Sequence, residues 1–166
     1  YRQDARAIGR KLDEGMPDNR KQALREARID RLRKARDLFE GVRRSLEARD
    51  GRRLSTLEAL ELRNSYFYLG DCAFDLKEYE TAIHHYDAAR ERYPKDPASL
   101  VAMIQIVNAY VEMGDPQRAN TANNRARAFY DSLPATAWND PNLPIDRADW
   151  QRWLEAKYET VERLSA

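Results

Sequence analysis

The chain has 166 residues, 29 Lys plus Arg against 28 Asp plus Glu, and a formal charge of +1. That length suits one domain with a buried core, and no window approaches the ~18 consecutive apolar residues of a membrane-spanning helix. A single cysteine, Cys72, excludes an internal disulfide framework and any multi-cysteine metal site. The chain opens at Tyr1 without an initiator methionine, as expected of a processed product or an excised piece.

Only 6 Gly and 7 Pro occur, and they cluster at Gly15-Met16-Pro17, Asp50-Gly51, Tyr93-Pro94-Lys95-Asp96-Pro97, Gly114-Asp115-Pro116 and the loose stretch Leu133 to Pro144. The segments between them are long, rich in Ala, Leu, Arg and Glu, and never alternate in polarity. They read as helices, and no strand is expected. Residues 1–14 suggest a short helix through Ala5, Ile8 and Leu12. The next runs from about Arg20 to Ala48, capped by Asp18 or Asn19 and ended by Asp50-Gly51. Its stripe is Leu24, Ile29, Leu32, Ala35, Leu38, Phe39, Val42 and Leu46. Ser55-x-x-Glu58 fits a capping box that opens a helix through Leu57, Leu60, Leu62, Tyr66 and Leu69. Further helices span Glu78 to Arg92, Ala98 to Met113, and Pro116 to Asp131, where Pro116 suits a first turn. The last starts at Asp146, with Trp150, Trp153, Leu154, Tyr158, Val161 and Leu164 as its apolar face.

The hairpins repeat. Tyr66-x-x-Leu69-Gly70-x-x-Ala73 is followed by Tyr79, Ala82-Ile83, Tyr86, Ala89 and Pro94. This pattern resembles the tetratricopeptide repeat, with Tyr66 for the usual opening Trp and Ala73 for the usual Tyr. A second copy lies 37 residues on, where Ala109-Tyr110, Met113-Gly114-Asp115, Ala119 and Ala126 answer Cys72-Ala73, Leu76-Lys77-Glu78, Ala82 and Ala89. In it Met103 and Asn123 replace aromatics and Val107 replaces Gly. The link at 93–97 adds about three residues to the usual spacing of about 34. Upstream, Ala35-x-x-x-Phe39-x-x-Val42 repeats the second-helix spacing, so the resemblance extends over roughly residues 30–131.

The resemblance implies an all-α fold of antiparallel helical hairpins, stacked as a short right-handed solenoid. One hairpin cannot cover its own apolar face, so a terminal repeat needs a polar-backed cap. The helix at 146–164 fits, with Trp150, Trp153 and Leu154 inward and Glu155, Glu159, Glu162 and Arg163 outward. The expected organisation is one domain in three stretches: a basic helical segment with a half repeat (1–53), two hairpins (54–134), and a Pro-rich loop with the capping helix (135–166).

No phosphate loop, dinucleotide fingerprint, His-Glu-x-x-His or Cys-x-x-Cys is present. His84 and His85 are adjacent and point about 100° apart on a helix, which prevents joint ligation of one ion. Cys72 sits at a small-residue position beside Asp71, as a packed thiol would. No cofactor or metal is expected, and the chain is read as non-enzymatic. Residues 1–53 hold 17 Lys plus Arg and 10 Asp plus Glu, a net +7, while residues 54–166 hold 12 and 18, a net −6. That asymmetry fits a solvated face, a protein contact, or an anionic surface.

By resemblance, the first helix of each hairpin lines a concave surface that holds peptides or protein segments. The residues there that the hairpin core does not require are Asn64, Phe67, Asp71 and Asp75, then Ile104, Gln105, Asn108 and Glu112. Solvent-facing Phe67 and Ile104 beside amides and carboxylates would give a mixed apolar and acidic groove. Some family members grip a terminal carboxylate with Lys, Arg and Asn; only Asn108 matches, and Asp71 and Asp75 have the wrong sign. The leading expectation is a scaffold for another protein, the parent chain or a second copy. The alternatives are a nucleic-acid or anion-binding module using Arg20, Lys21, Arg25, Arg28, Arg43 and Arg44, or a structural, self-assembling segment of a longer repeat protein. The Tyr-Pro-Lys-Asp-Pro link resembles repeats of bacterial envelope proteins, which implies the envelope and leaves the cytoplasm open.

Overall fold

A computed structural model describes residues 1–11, 17–49, 53–139 and 147–165. Among them are seven α-helices, one 3-10 helix and no strand. In order these are α1 (Arg2–Lys11), α2 (Asp18–Glu47), α3 (Thr56–Asp75), α4 (Tyr79–Arg92), α5 (Ala98–Glu112), α6 (Pro116–Ser132), the 3-10 helix Ala135–Asn139, and α7 (Arg147–Ser165). The 3-10 helix falls in a stretch that the sequence marked only as loose.

Two helix starts follow local side-chain chemistry. At α3, the Glu58 amide donates to Ser55 Oγ at 3.2 Å, and the Glu58 carboxylate accepts from the Ser55 amide at 2.8 Å. At α6, Asp115 Oδ1 accepts from the Arg118 amide at 2.9 Å, with Pro116 in the first turn. The start of α2 differs from expectation. Pro17 takes the cap position with no side-chain cap bond, and its carbonyl accepts from Arg20 and Lys21 at 3.0 and 3.1 Å. Asp18 and Asn19 are thereby drawn into the helix and neither takes the cap position, but Asn19 Oδ1 still accepts from the Arg20 amide at 2.8 Å. The Asp50-Gly51 stop, the Asp146 start and Leu12 lie outside the described residues.

The repeat is written into the backbone. At the end of α3, the Lys77 amide donates to Phe74 and the Glu78 amide to Ala73, each at 2.9 Å. At the end of α5, Gly114 donates to Val111 at 3.0 Å and Asp115 to Tyr110 at 2.9 Å. Both are the paired 5→2 and 6→1 bonds that close a helix through a left-handed residue, here Lys77 (φ 62°) and Gly114 (φ 71°).

The chain divides into two compact units, Tyr1–Glu78 and Tyr79–Ala166. In the first, α1 packs on α2 and α2 on α3. Leu32, Ala35 and Leu46 of α2 are buried, as are Leu62, Leu69, Cys72 and Ala73 of α3. The expected α2 stripe is only partly buried, because Ile29 (39 % exposed), Leu38 (58 %) and Val42 (37 %) face outward. Leu32, Ala35, Phe39 and Leu46 share one side of the helix, and Ile29 and Leu38 lie about 90° to either side of it. Leu57 and Leu60, in the first turns of α3, are also exposed.

In the second unit α4 packs on α5, α5 on α6, and α6 on α7. Leu100, Met103, Ile104, Ala126 and Tyr130 form a cluster closed by Trp150 and Leu154 of α7, with Trp138 and Trp153 packed against it. Trp150 is fully buried. Glu155, Glu159 and Arg163 are exposed on the other side of α7, the polar back that a terminal helix needs.

Candidate partner-binding surfaces

The α3 stripe Asn64, Phe67, Asp71 and Asp75 is half-buried along its whole length. Arg63 explains its first part. Its Nη1 donates to Asn64 Oδ1 at 3.0 Å, and its guanidinium stands 5.4 Å from the centre of the Phe67 ring. The other end is engaged by α1. Arg2 Nη2 lies 2.7 Å from Asp71 Oδ2, Arg2 Nε 3.9 Å from Asp75 Oδ2, and Arg6 Nε 4.0 Å from the same oxygen. The Arg2 guanidinium also stands 5.4 Å from the Tyr68 ring centre. A cation at the last turn of α3 suits the helix dipole as well as the two carboxylates. Burial raises the Asp75 carboxyl above its ordinary range, against the pull of Arg2 and Arg6. Arg2 was absent from the sequence reading; a pairing between residues so far apart leaves no local pattern.

On α5 the expectation splits. Gln105 and Asn108 are half-buried and Glu112 is exposed. Asn108 Nδ2 donates to Gln105 Oε1 at 2.7 Å. Ile104 is not solvent-facing: it is fully buried in the cluster that Trp150 and Leu154 complete. The C-terminal helix covers the position at which an open groove would have shown an apolar side chain. The Tyr79 hydroxyl, whose pKa is raised by burial and then by the Glu112 charge, donates to that carboxylate.

The six basic residues of α2 fall into separate groups. Arg20 and Arg25 are exposed, Lys21, Arg28 and Arg43 half-buried. Arg43 stands 5.5 Å from the Tyr66 ring centre, and Arg44 Nη2 lies 3.6 Å from Glu40. At 1.5 Å per residue, Arg28 and Arg43 are about 22 Å apart along the helix axis. Among the described residues no three His, Cys, Asp or Glu side chains are grouped to hold a metal ion. No described helix is long and apolar enough to cross a membrane. Cys72 is buried, and desolvation pushes its thiol up to about 11.

The ends of α3 and α5 are closed by the same backbone turn, which marks a repeated unit within this stretch. Residues 61–132 match the family model described as tetratricopeptide repeat, and this stretch is a tetratricopeptide-repeat segment. The match spans α3 through α6 and includes both left-handed turns. Neither the comparison with curated proteins nor that with solved structures gives a significant match. Tetratricopeptide repeats in general mediate protein–protein interaction.

Proposed function

We propose that this chain is a non-enzymatic scaffold that holds a peptide or protein segment of another polypeptide through its helical repeats. The tetratricopeptide match over residues 61–132 carries the reading. Two local features support it. In the second unit, Gln105, Asn108 and Glu112 form a polar ridge at helical spacing on α5, which offers amide donors and acceptors to a partner backbone. In the first unit, Asn64 and Phe67 remain half open beside an acidic end that already holds arginine. A segment with an amide-pairing backbone suits the α5 ridge, and basic side chains suit the acidic end of α3, each taken by itself.

The test is crosslinking of the intact parent protein, mass-spectrometric identification of the crosslinked segment, and titration of that segment as a synthetic peptide. Wild-type protein binds it, and the Phe67→Asp, Asn108→Ala double variant loses at least about tenfold in affinity, as truncating central contacts does. Equal affinity for both proteins removes these helices as the contact surface.

A further inference from the structure

In the first unit α2 and α3 run antiparallel: Phe39 meets Tyr68 at 5.1 Å between ring centres, Arg43 stands 5.5 Å from the Tyr66 ring centre, and Arg49 pairs with Glu58. The furrow between them is filled at one end by α1. The Tyr1 ring lies against Arg31 and Lys34 of α2, at 5.4 and 6.0 Å, while Arg2 reaches Tyr68, Asp71 and Asp75 of α3. Beyond Tyr1 the same furrow continues as a groove of about 410 Å³. Leu38, Gly41, Val42 and Leu46 of α2 line it, with Asp37 and Glu61 at its edges.

The covered and uncovered halves share one line of residues on each helix. On α2, Arg31, Lys34, Leu38, Val42 and Ser45 fall within an arc of about 80°. On α3, Asp75, Tyr68 and Glu61 recur at seven-residue steps, which drift by only about 20° each. Glu61 lies about 120° round α3 from Phe67, so the groove is a different surface from the stripe of Asn64 and Phe67. Leu38 is 58 % exposed and Val42 37 %. Glu61 is exposed and makes neither a hydrogen bond nor an ion pair among the described residues, and Asp37 meets Arg36 Nε at 3.8 Å.

We propose that an amphipathic helix of a partner protein lies in this groove in line with α1, with apolar side chains on Leu38, Val42 and Leu46 and a basic side chain on Glu61. The α1 helix shows what the furrow accepts. Its Ala5 is fully buried and Ile8 half-buried, while Arg2 and Arg6 answer the carboxylates of α3. The uncovered half offers the same two elements, an apolar floor and, in Glu61, a carboxylate with no cation on it. From Leu38 to Leu46 it runs about 12 Å, the rise of two helical turns. Apolar side chains one turn apart reach Leu38 and Val42 together, as the i, i+3, i+4 and i+7 anchors of an amphipathic helix do in a groove. A nucleic-acid strand is disfavoured, because both edge groups are carboxylates.

The test uses the full chain and a fluorescein-labelled peptide Ala-Arg-Leu-Ala-Lys-Leu-Leu-Arg-Ala-Leu-Lys-Ala, whose leucines share one helical face, read by anisotropy. A peptide of the same composition with its leucines spread around the helix controls for charge alone. Wild-type protein binds the first peptide and not the second. Leu38→Asp weakens binding about tenfold, as loss of a central contact does, and Glu61→Lys about threefold, the scale of one exposed charge pair. Ile29→Asp, about 180° round α2 from Leu38, leaves it unchanged. Because Leu38 is exposed, circular dichroism and melting of Leu38→Asp match wild type. No binding by wild type, equal binding of the two peptides, or undiminished binding by Leu38→Asp overturns the proposal. So does a wild-type dimer that Leu38→Asp dissociates, which would give the groove to a second copy.

Discussion

Lys77 and Gly114 occupy the same backbone position in the turns that close α3 and α5, 37 residues apart, at φ 62° and 71°. Glycine adopts this left-handed conformation without steric cost, whereas a side chain costs roughly 1–2 kcal/mol. Lysine is tolerated in the first turn because the bonds to Phe74 and Ala73 over-determine it. Lys77→Gly therefore stabilises by roughly 0.5–1 kcal/mol, and Gly114→Ala destabilises by about 1 kcal/mol. A Cβ at Gly114 meets nothing within 4 Å, so its cost is that of the backbone alone. Urea midpoints at unchanged slope read both effects.

Asn123 is fully buried, with neither Nδ2 nor Oδ1 hydrogen-bonded. It stands on α6 where the repeat pattern has an aromatic. A buried amide without partners carries an unreturned desolvation penalty of roughly 1–3 kcal/mol. Asn123→Leu, of similar size and apolar, is expected to raise stability by an amount in that range. A lower melting temperature in this variant would show that Asn123 has a polar role.

Trp150 anchors α7 to the cluster of Leu100, Ile104 and Tyr130. Removing a buried indole costs roughly 3–5 kcal/mol, so Trp150→Ala lowers the melting temperature strongly and raises dye binding by exposing Ile104. Leu57→Ala is the matched control. At 64 % exposure, Leu57 has little burial to lose, and its variant melts as wild type does.

The Cys72 thiol, raised by burial to about 11, stays protonated and inaccessible at pH 8. Native protein reacts with Ellman's reagent only through unfolding, while denatured protein reacts at once. The sign follows from linkage. The folded form holds the proton more tightly than the unfolded form near 9, so this contribution is complete below pH 9 and is lost as pH rises through about 11. Cys72→Ala removes that alkaline loss.

The helices were legible because their punctuation is local. Ser55-x-x-Glu58, Asp115-Pro116 and the breaks before Tyr79 and at Gly114 each act within a few residues of themselves. The repeat was legible because a close hairpin demands small residues at fixed offsets, such as Ala82, Ala89, Ala119 and Ala126, all buried. What failed depends on partners distant in the chain. Ile104 follows the same helical spacing as Gln105 and Asn108, yet it lies buried in the cluster that α6 and α7 complete. Leu38 and Leu46 both fit steps of three and four, yet the side of α2 that α1 and α3 cover decides between them. Asp71 and Asp75 looked like groove carboxylates until α1 brought Arg2 to 2.7 Å of Asp71.

The central claim is that one helix-closing turn is used twice between residues 61 and 132. Backbone chemical shifts of residues 53–139 test it most directly. The account predicts helical shifts over α3, α4, α5 and α6, with Lys77 and Gly114 each showing left-handed values at the break. Helical shifts running unbroken through Lys77 or Gly114, or extended values within any of the four helices, would contradict it.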